Sequence, residues 1–180
     1  MAAFVLFNIL AVTSCKKDPD PVDQPAQEEN EGEIITTMIV EVSDSAGVLP
    51  HQSFIFRDED GPGGNEPSQF DTLLLAPETT YFVSIVLLNE TITPADTISL
   101  EVLEEGEDHL FCFTVSGLDL DIIRTDSDGT YEIGLESTWH TGATGMGDVQ
   151  IELKHQPGIK DGTCDPGETD VDLTFETHIE

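Results

Sequence analysis

The sequence predicts an all-β fold, an antiparallel two-sheet sandwich. Two observations lead to this prediction. From Ile34 onward apolar and polar side chains alternate, and no longer stretch keeps a convincing helical period. Turn-forming clusters rich in Gly, Pro, Asp and Asn, such as 61–65 and 126–129, separate the alternating stretches. Residues 34–180 are enough for one domain of this kind.

Nine or ten strands account for this pattern. The clearest alternation lies in 34–42, 149–155 and 171–179, which predicts half-buried strands with one face toward a core. The run 81–88 is apolar on both faces and predicts a central strand. Further strands are predicted at 52–57, 69–75, 97–103, 109–116, 118–125 and 130–139.

One local motif refines the fold class. The string from Leu75 to Tyr81, Leu-Ala-Pro-Glu-Thr-Thr-Tyr, followed by Val83 and Ile85, resembles the tyrosine corner of fibronectin type III domains. The resemblance implies that the Tyr81 hydroxyl bonds backbone slightly upstream, at the corner between the sheets. It covers about 20 residues, and a much longer segment follows than that family has. It therefore implies an immunoglobulin or fibronectin-like sandwich with extra strands, and not a strand order.

The amino terminus predicts an export signal over residues 1–14. Residues 2–12 are apolar but too few to span a bilayer, which suits the core of a signal peptide. Val12-Thr13-Ser14-Cys15 resembles the lipobox of bacterial lipoproteins, which implies a lipid anchor on Cys15. Signal peptides begin with basic residues, and Met1 to Leu10 contains none. We therefore expect the translated start to lie a few residues upstream.

Residues 15–33 follow as an acidic, Pro-rich tether that cannot bury enough apolar surface to fold alone. Its start, Lys16-Lys17-Asp18-Pro19-Asp20, resembles the surface-export signal of Bacteroidetes lipoproteins. That resemblance implies attachment to the outer membrane, with the folded domain at the cell surface.

The chain as a whole resembles a group of flavobacterial lipoproteins of unknown function. The shared strings are the Cys-Lys-Lys-Asp start, the acidic tether, 33–37, 88–91 with Pro94, 107–109, 154–155 and 167–170. Such proteins are often labelled "type 1 periplasmic binding fold superfamily", and some lie beside TonB-dependent receptors in their genomes. The second fact implies a TonB-dependent receptor as partner. The label conflicts with this chain, which lacks the length and helices of two βαβ domains.

The charge of the chain limits its partners. Six Lys and Arg oppose 37 Asp and Glu, for a formal net charge of −31. Such a field repels nucleic acid and favours metal cations or basic partners. The alternative is that the acids only keep the domain soluble.

Two cysteines remain beside Cys15, namely Cys112 and Cys164. An even pair in an oxidising compartment favours a disulfide. The alternative is two free thiols, since Cys112 lies in an apolar strand pattern and suits a core position.

Two histidines suggest a transition-metal site. His109 begins one predicted strand and His155 ends another. Acids surround them, with Glu104, Glu105, Glu107 and Asp108 before the first and Glu168 after the second. If the two strand ends meet at one rim, two imidazoles and one or two carboxylates would suit zinc. The alternative is that each histidine caps the core and bonds backbone.

Two loops suggest calcium, because alternating acids before a glycine place oxygens on one side of a turn. The first contains Asp58 and Asp60, with Asn65 beyond, and the second contains Asp126 and Asp128. Neither completes an EF-hand. The second also suits a plain hairpin.

These features predict a non-enzymatic surface or periplasmic lipoprotein that binds a ligand, with zinc or calcium as candidate ions, as an accessory to a TonB-dependent transporter. The sequence has no G-x-S-x-G, no H-E-x-x-H and no phosphate-binding loop, so we expect no enzyme. The alternative is a structural or adhesive envelope module that binds another protein.

Overall fold

A computed structural model describes residues 33–61 and 63–180. The predicted signal peptide, the lipidation site Cys15 and all of the tether except Glu33 lie outside the described residues. Within them the chain forms two open sheets, which confirms the all-β sandwich.

The elements follow one another along the chain with short connections. They are β1 (Thr37–Asp44), β2 (Gln52–Arg57), β3 (Gln69–Phe70), β4 (Leu73–Leu75), β5 (Thr80–Leu88), α1 (Ile98–Glu104), β6 (His109–Ser116), β7 (Leu120–Arg124), β8 (Glu136–Thr141), β9 (Gly145–His155) and β10 (Glu168–Ile179). The first sheet has the order β3-β2-β1-β5-β8-β7, and the second has the order β4-β10-β9-β6. All pairs are antiparallel except β4 with β10, which is parallel.

The core lies between the two sheets and is built by the alternating positions of their strands. From the first sheet come residues such as Val40, Val83 and Trp139, and from the second come Phe111 and Ile151. These side chains are at most 1% exposed. Full burial of a large apolar side chain stabilises the fold by about 1.5 to 3 kcal/mol, so the period-two pattern fixes which face of each strand turns inward.

The tyrosine corner is present as predicted. Tyr81 is 1% exposed, and its hydroxyl oxygen accepts a hydrogen bond of 2.8 Å from the backbone N–H of Ala76. The ring therefore spans the turn between β4, which belongs to one sheet, and β5, which belongs to the other.

Two predicted strands differ in the structure. Residues 69–75 are two short strands, because the chain leaves the first sheet after Phe70 and enters the second at Leu73. Residues 130–139 begin with a loop, and β8 starts only at Glu136.

The predicted strand at 97–103 is wrong, since this segment is the helix α1. Ile98 and Val102 are four residues apart and both buried, so one turn of helix brings them to the same face, while Leu100 stays 60% exposed. The alternation of Ile98, Leu100 and Val102 misled the period-two prediction. Among the described residues, no helix has the length and apolar composition needed to cross a bilayer.

Cys112 and Cys164 form a disulfide across a sequence separation of 52 residues. Of the two alternatives, a disulfide or two free thiols, the structure has the disulfide. The bridge joins β6 to the loop that connects β9 with β10.

Candidate metal centre

The two predicted histidines lie side by side at one rim of the second sheet. His109 and His155 are register partners at the ends of the neighbouring strands β6 and β9. Their rings stack with centroids 4.9 Å apart and planes 13° from parallel. The antiparallel register brings the start of one strand to the end of the other, which is the meeting that the sequence suggested.

His109 is buried and bonded to backbone through one ring nitrogen. It is 1% exposed, and its Nδ1 donates a hydrogen bond of 3.1 Å to the backbone carbonyl of Glu105. Burial lowers the pKa of His109, and the neighbouring His155 lowers it further. The ring is thus neutral at pH 7, with the Nε2 lone pair available for an ion. A ligand histidine in proteins commonly donates its other N–H to a carbonyl in this way.

Two carboxylates converge on His109. One ligand atom each from Glu33, Glu105 and His109 lie within 4.8 Å of one another, and we call these three residues the rim centre. Glu33 comes from the segment before β1, and Glu105 follows α1. The segment of Glu33 is held by Thr36, which bonds the Leu88 carbonyl through both its N–H and its hydroxyl.

Acidic groups surround Glu33 in the rim centre. The Glu33 pKa is raised to about 7, first by burial and then by the charges of Asp170, Glu101 and Glu105. Glu33 Oε2 is buried without a hydrogen-bond partner. Asp170 reaches this place because it is the extra residue of a bulge in β10, between Thr169 and Val171. The charged neighbours that shift the Glu33 pKa are therefore all acidic.

The other sequence-predicted ligands lie elsewhere. Glu107 and Asp108 line a shallow groove with Lys160, and Asp108 Oδ1 accepts a hydrogen bond of 3.2 Å from the Gly158 N–H. They turn away because consecutive residues before β6 cannot all face the same rim. Neither belongs to the rim centre.

His155 and Glu168 lie next to the rim centre without joining its converging atoms. Glu168, on β10, is the register partner of His155, so Glu168, His155 and His109 form one row across three strands. The lone pair of each imidazole nitrogen lies in the plane of its ring, and the planes of these two stacked rings are nearly parallel. The two lone pairs therefore do not point at a common position between the rings. One ion therefore takes good bonds from both histidines only if one ring turns.

Sequence reasoning missed Glu33, and it counted Glu105 only among the acids before His109, without choosing it as a ligand. Glu33 was assigned to the tether because it continues an acidic run, yet it is the residue that enters the fold. The available signal was position: an acid placed directly before the first buried strand must lie at a rim of the sandwich.

In the predicted calcium loop at Asp126 and Asp128, an internal cation pairs with Asp128, while Asp126 Oδ1 accepts the Gly134 N–H at 2.7 Å. Asp128 Oδ2 forms an ion pair of 2.9 Å with Lys160 Nζ, and the two side chains are 8% and 3% exposed. Asp128 Oδ1 accepts the N–H groups of Thr130 and Tyr131. Burial raises the Asp128 pKa, but these bonds outweigh it, and the net effect lowers the pKa to about 2. The ammonium group thus already supplies a counter-charge to Asp128, one of the two predicted ligands.

The predicted calcium loop at Asp58 and Asp60 differs from the Asp126 loop, because its two carboxyl groups lie within hydrogen-bonding range of each other. Asp58 is 8% exposed, whereas Asp60 is exposed and accepts two hydrogen bonds from Asn65.

No protein-family model matches the chain, and no curated protein and no solved structure matches it either. The function of this chain is therefore inferred from the charge and geometry of its own residues.

Proposed function

We propose that this protein binds a divalent transition-metal ion, zinc foremost, at the rim centre of Glu33, Glu105 and His109. The observation that carries the proposal is the convergence of a buried, neutral imidazole with two carboxylates within 4.8 Å. Imidazole nitrogen and carboxylate oxygen form the mixed ligand set that zinc accepts in sites with an open position.

The electrostatics supports the same conclusion. A divalent cation would offset the mutual repulsion of Glu33, Glu105 and Asp170, which raises the Glu33 pKa in its absence. It would also provide the buried Glu33 Oε2 with a partner. Zinc bonds of about 2 Å require donor atoms at most about 4 Å apart. The three donors therefore need to approach one another only slightly, and Glu105 is exposed and free to turn.

Zinc titration of the full chain by calorimetry, after chelator treatment, tests the proposal. We expect one ion per chain, and we expect Glu33→Gln and Glu105→Gln each to weaken binding by at least about tenfold. Zinc at 100 times its Kd should stabilise the wild-type fold by about 2.7 kcal/mol.

Matched controls separate this centre from general attraction to an acidic protein. Glu107→Gln removes the same charge from a neighbouring residue outside the rim centre, and should change the affinity by less than about twofold. His155→Phe keeps the ring stack and removes a donor, so retained zinc binding would assign the ligand role to His109 alone. If Glu33→Gln and Glu107→Gln behaved alike, the rim centre would not be the site.

We further propose that the domain works as a non-enzymatic metal-binding lipoprotein, held at the outer membrane through Cys15 and accessory to a TonB-dependent transporter. The motif at 12–15, the acidic tether and the net charge of −31 support this location and a cationic ligand. Cys15→Ser should shift the full chain from the membrane to the soluble fraction. Pull-down from native outer membrane should recover a transporter, and recovery of matrix proteins alone would favour an adhesive module.

A further inference from the structure

The loop after β2 has the same Asp-x-Asp-Gly pattern as the loop that Lys160 closes. Asp58-Glu59-Asp60-Gly61 matches Asp126-Ser127-Asp128-Gly129 in the position of both acids and of the glycine. Gly61 and Gly129 both have positive φ, 76° and 98°, which lets each chain turn directly after its second acid. In the second loop the second acid, Asp128, pairs with the Lys160 ammonium group, whereas the first acid, Asp126, accepts the Gly134 N–H through Oδ1.

In the part of the chain that the structure describes, the first loop buries a carboxylate oxygen without a hydrogen-bond partner. Asp58 is 8% exposed, and its Oδ1 is buried without a hydrogen-bond partner. The carboxyl of Asp60 lies at hydrogen-bonding range of the Asp58 carboxyl. Two carboxylates can share such a contact only through a proton or a cation.

No basic side chain is turned toward this pair within the described residues. Arg57 is adjacent in sequence, but its Nε binds Glu90 Oε2 at 2.8 Å. The acids Asp60 and Glu59 are the charged groups that, with burial, raise the Asp58 pKa. At its second acid, Asp60, the loop thus lacks the ammonium group that pairs with Asp128 in the matching loop.

The backbone of Asp58 and the carboxylate of Asp60 are held in place before any ion arrives. The Asp58 N–H donates to the carbonyl of Thr36, the residue before β1, at 2.8 Å. Asp60 Oδ2 accepts the backbone N–H of Asn65 at 3.0 Å and its side-chain amide at 2.5 Å. This preorganisation lowers the entropy cost of binding.

We propose that Asp58 and Asp60 bind a calcium ion, in a site separate from the rim centre. The donors are oxygens only, which selects a hard cation over zinc, and an irregular loop suits the flexible coordination of calcium better than the strict octahedron of magnesium. The ion would take the part that Lys160 Nζ plays in the matching loop.

Calcium titration of the chelator-treated full chain at about 0.15 M salt tests the site, with ion concentrations up to about 5 mM. We expect saturable binding of calcium and a rise in Tm. Asp60→Asn should weaken the calcium affinity by at least about tenfold. Because Asp60 is exposed, this variant should fold even if Asp58→Asn does not.

Glu59→Gln is the matched control, since it removes one charge from the exposed residue between the two ligands. It should change the affinity by less than about twofold. Glu33→Gln should leave calcium binding intact while it weakens zinc binding, so the two proposals fail independently. A calcium response that is absent, or that Glu59→Gln and Asp60→Asn reduce equally, would overturn the proposal in favour of a shared proton or diffuse attraction.

Discussion

The carboxylates of Asp128 and Glu33 are both withdrawn from solvent, and they differ in what lies beside them. Asp128 contacts Lys160 Nζ and two backbone N–H groups, and its pKa falls to about 2. Glu33 lies in a half-buried position among Asp170, Glu101 and Glu105, and its pKa rises to about 7. The same chemical group is stabilised in one region and destabilised in the other.

The difference shows how to recognise a metal site in a strongly acidic chain. With 37 acids and six basic residues, acidic clusters are expected almost everywhere on the surface. What distinguishes a cluster is whether a basic side chain reaches it. Among the described residues, Arg57, Arg124 and Lys160 each pair with a carboxylate outside the rim centre, and this difference motivates the proposal that an external cation binds there.

Removal of the disulfide should lower the stability of the fold more than substitution of Lys160 or Glu33, and it should affect the Lys160 loop more than the rim centre. Cys112→Ala with Cys164→Ala should lower the free energy of unfolding by about 4 kcal/mol on the chain-entropy model. The bridge anchors the loop that carries Lys160. Zinc affinity should persist in the folded fraction, because strand register and not this loop positions His109. Denaturant unfolding and zinc titration of the double variant measure both effects.

Lys160→Met should cost about 3 kcal/mol of stability, because it leaves a buried carboxylate without its counter-charge. Lys160 Nζ also donates to the Gly106 carbonyl at 2.6 Å, so that bond is lost as well. Urea unfolding of Lys160→Met and of the exposed-site control Lys154→Met measures the loss. Equal losses in both variants would mean that the Asp128 pair contributes little.

Glu33→Gln should have the opposite sign. In metal-free protein at pH 7.5 it should raise the free energy of unfolding by about 1 kcal/mol, since it removes a charge from among like charges at a half-exposed position. The same substitution should remove the zinc-induced stabilisation. A residue that lowers stability when metal is absent and is required for binding is typical of a functional site. A loss of stability in metal-free Glu33→Gln would contradict this interpretation.

Much of the fold was predictable because alternation reports burial directly. Strands β2 and β6 match their predicted bounds, and the Tyr81 corner forms as its motif implied. The helix α1 was missed because Ile98 and Val102 satisfy period two and a four-residue spacing equally. Sequence could not separate two templates that place the same residues on one face.

The candidate site was predictable only in part. His109 and His155 could be placed at strand ends, and antiparallel pairing then brought them together. Asp170 could not be placed, because a bulge shifts its side chain by one position relative to the alternation. Lys160 likewise reaches Asp128 from 32 residues away, and only the folded loops reveal that pairing.

The pH dependence of stability should separate the two regions by sign. The Asp128 pKa is lowered, so its ion pair stabilises the fold fully above pH 3.8, and this contribution disappears as the pH falls toward 2. The Glu33 pKa is raised from 4.5 to about 7, so its penalty is absent below pH 4.5 and grows until about pH 7.

Differences between wild type and each variant isolate these contributions from the many other acids. The stability advantage of wild type over Lys160→Met should shrink only below about pH 4, whereas the advantage of metal-free Glu33→Gln over wild type should appear between pH 4.5 and 7. Parallel difference curves would show that both carboxylates experience the same average acidic field, and the distinction between a neutralised and an uncompensated cluster would then be lost.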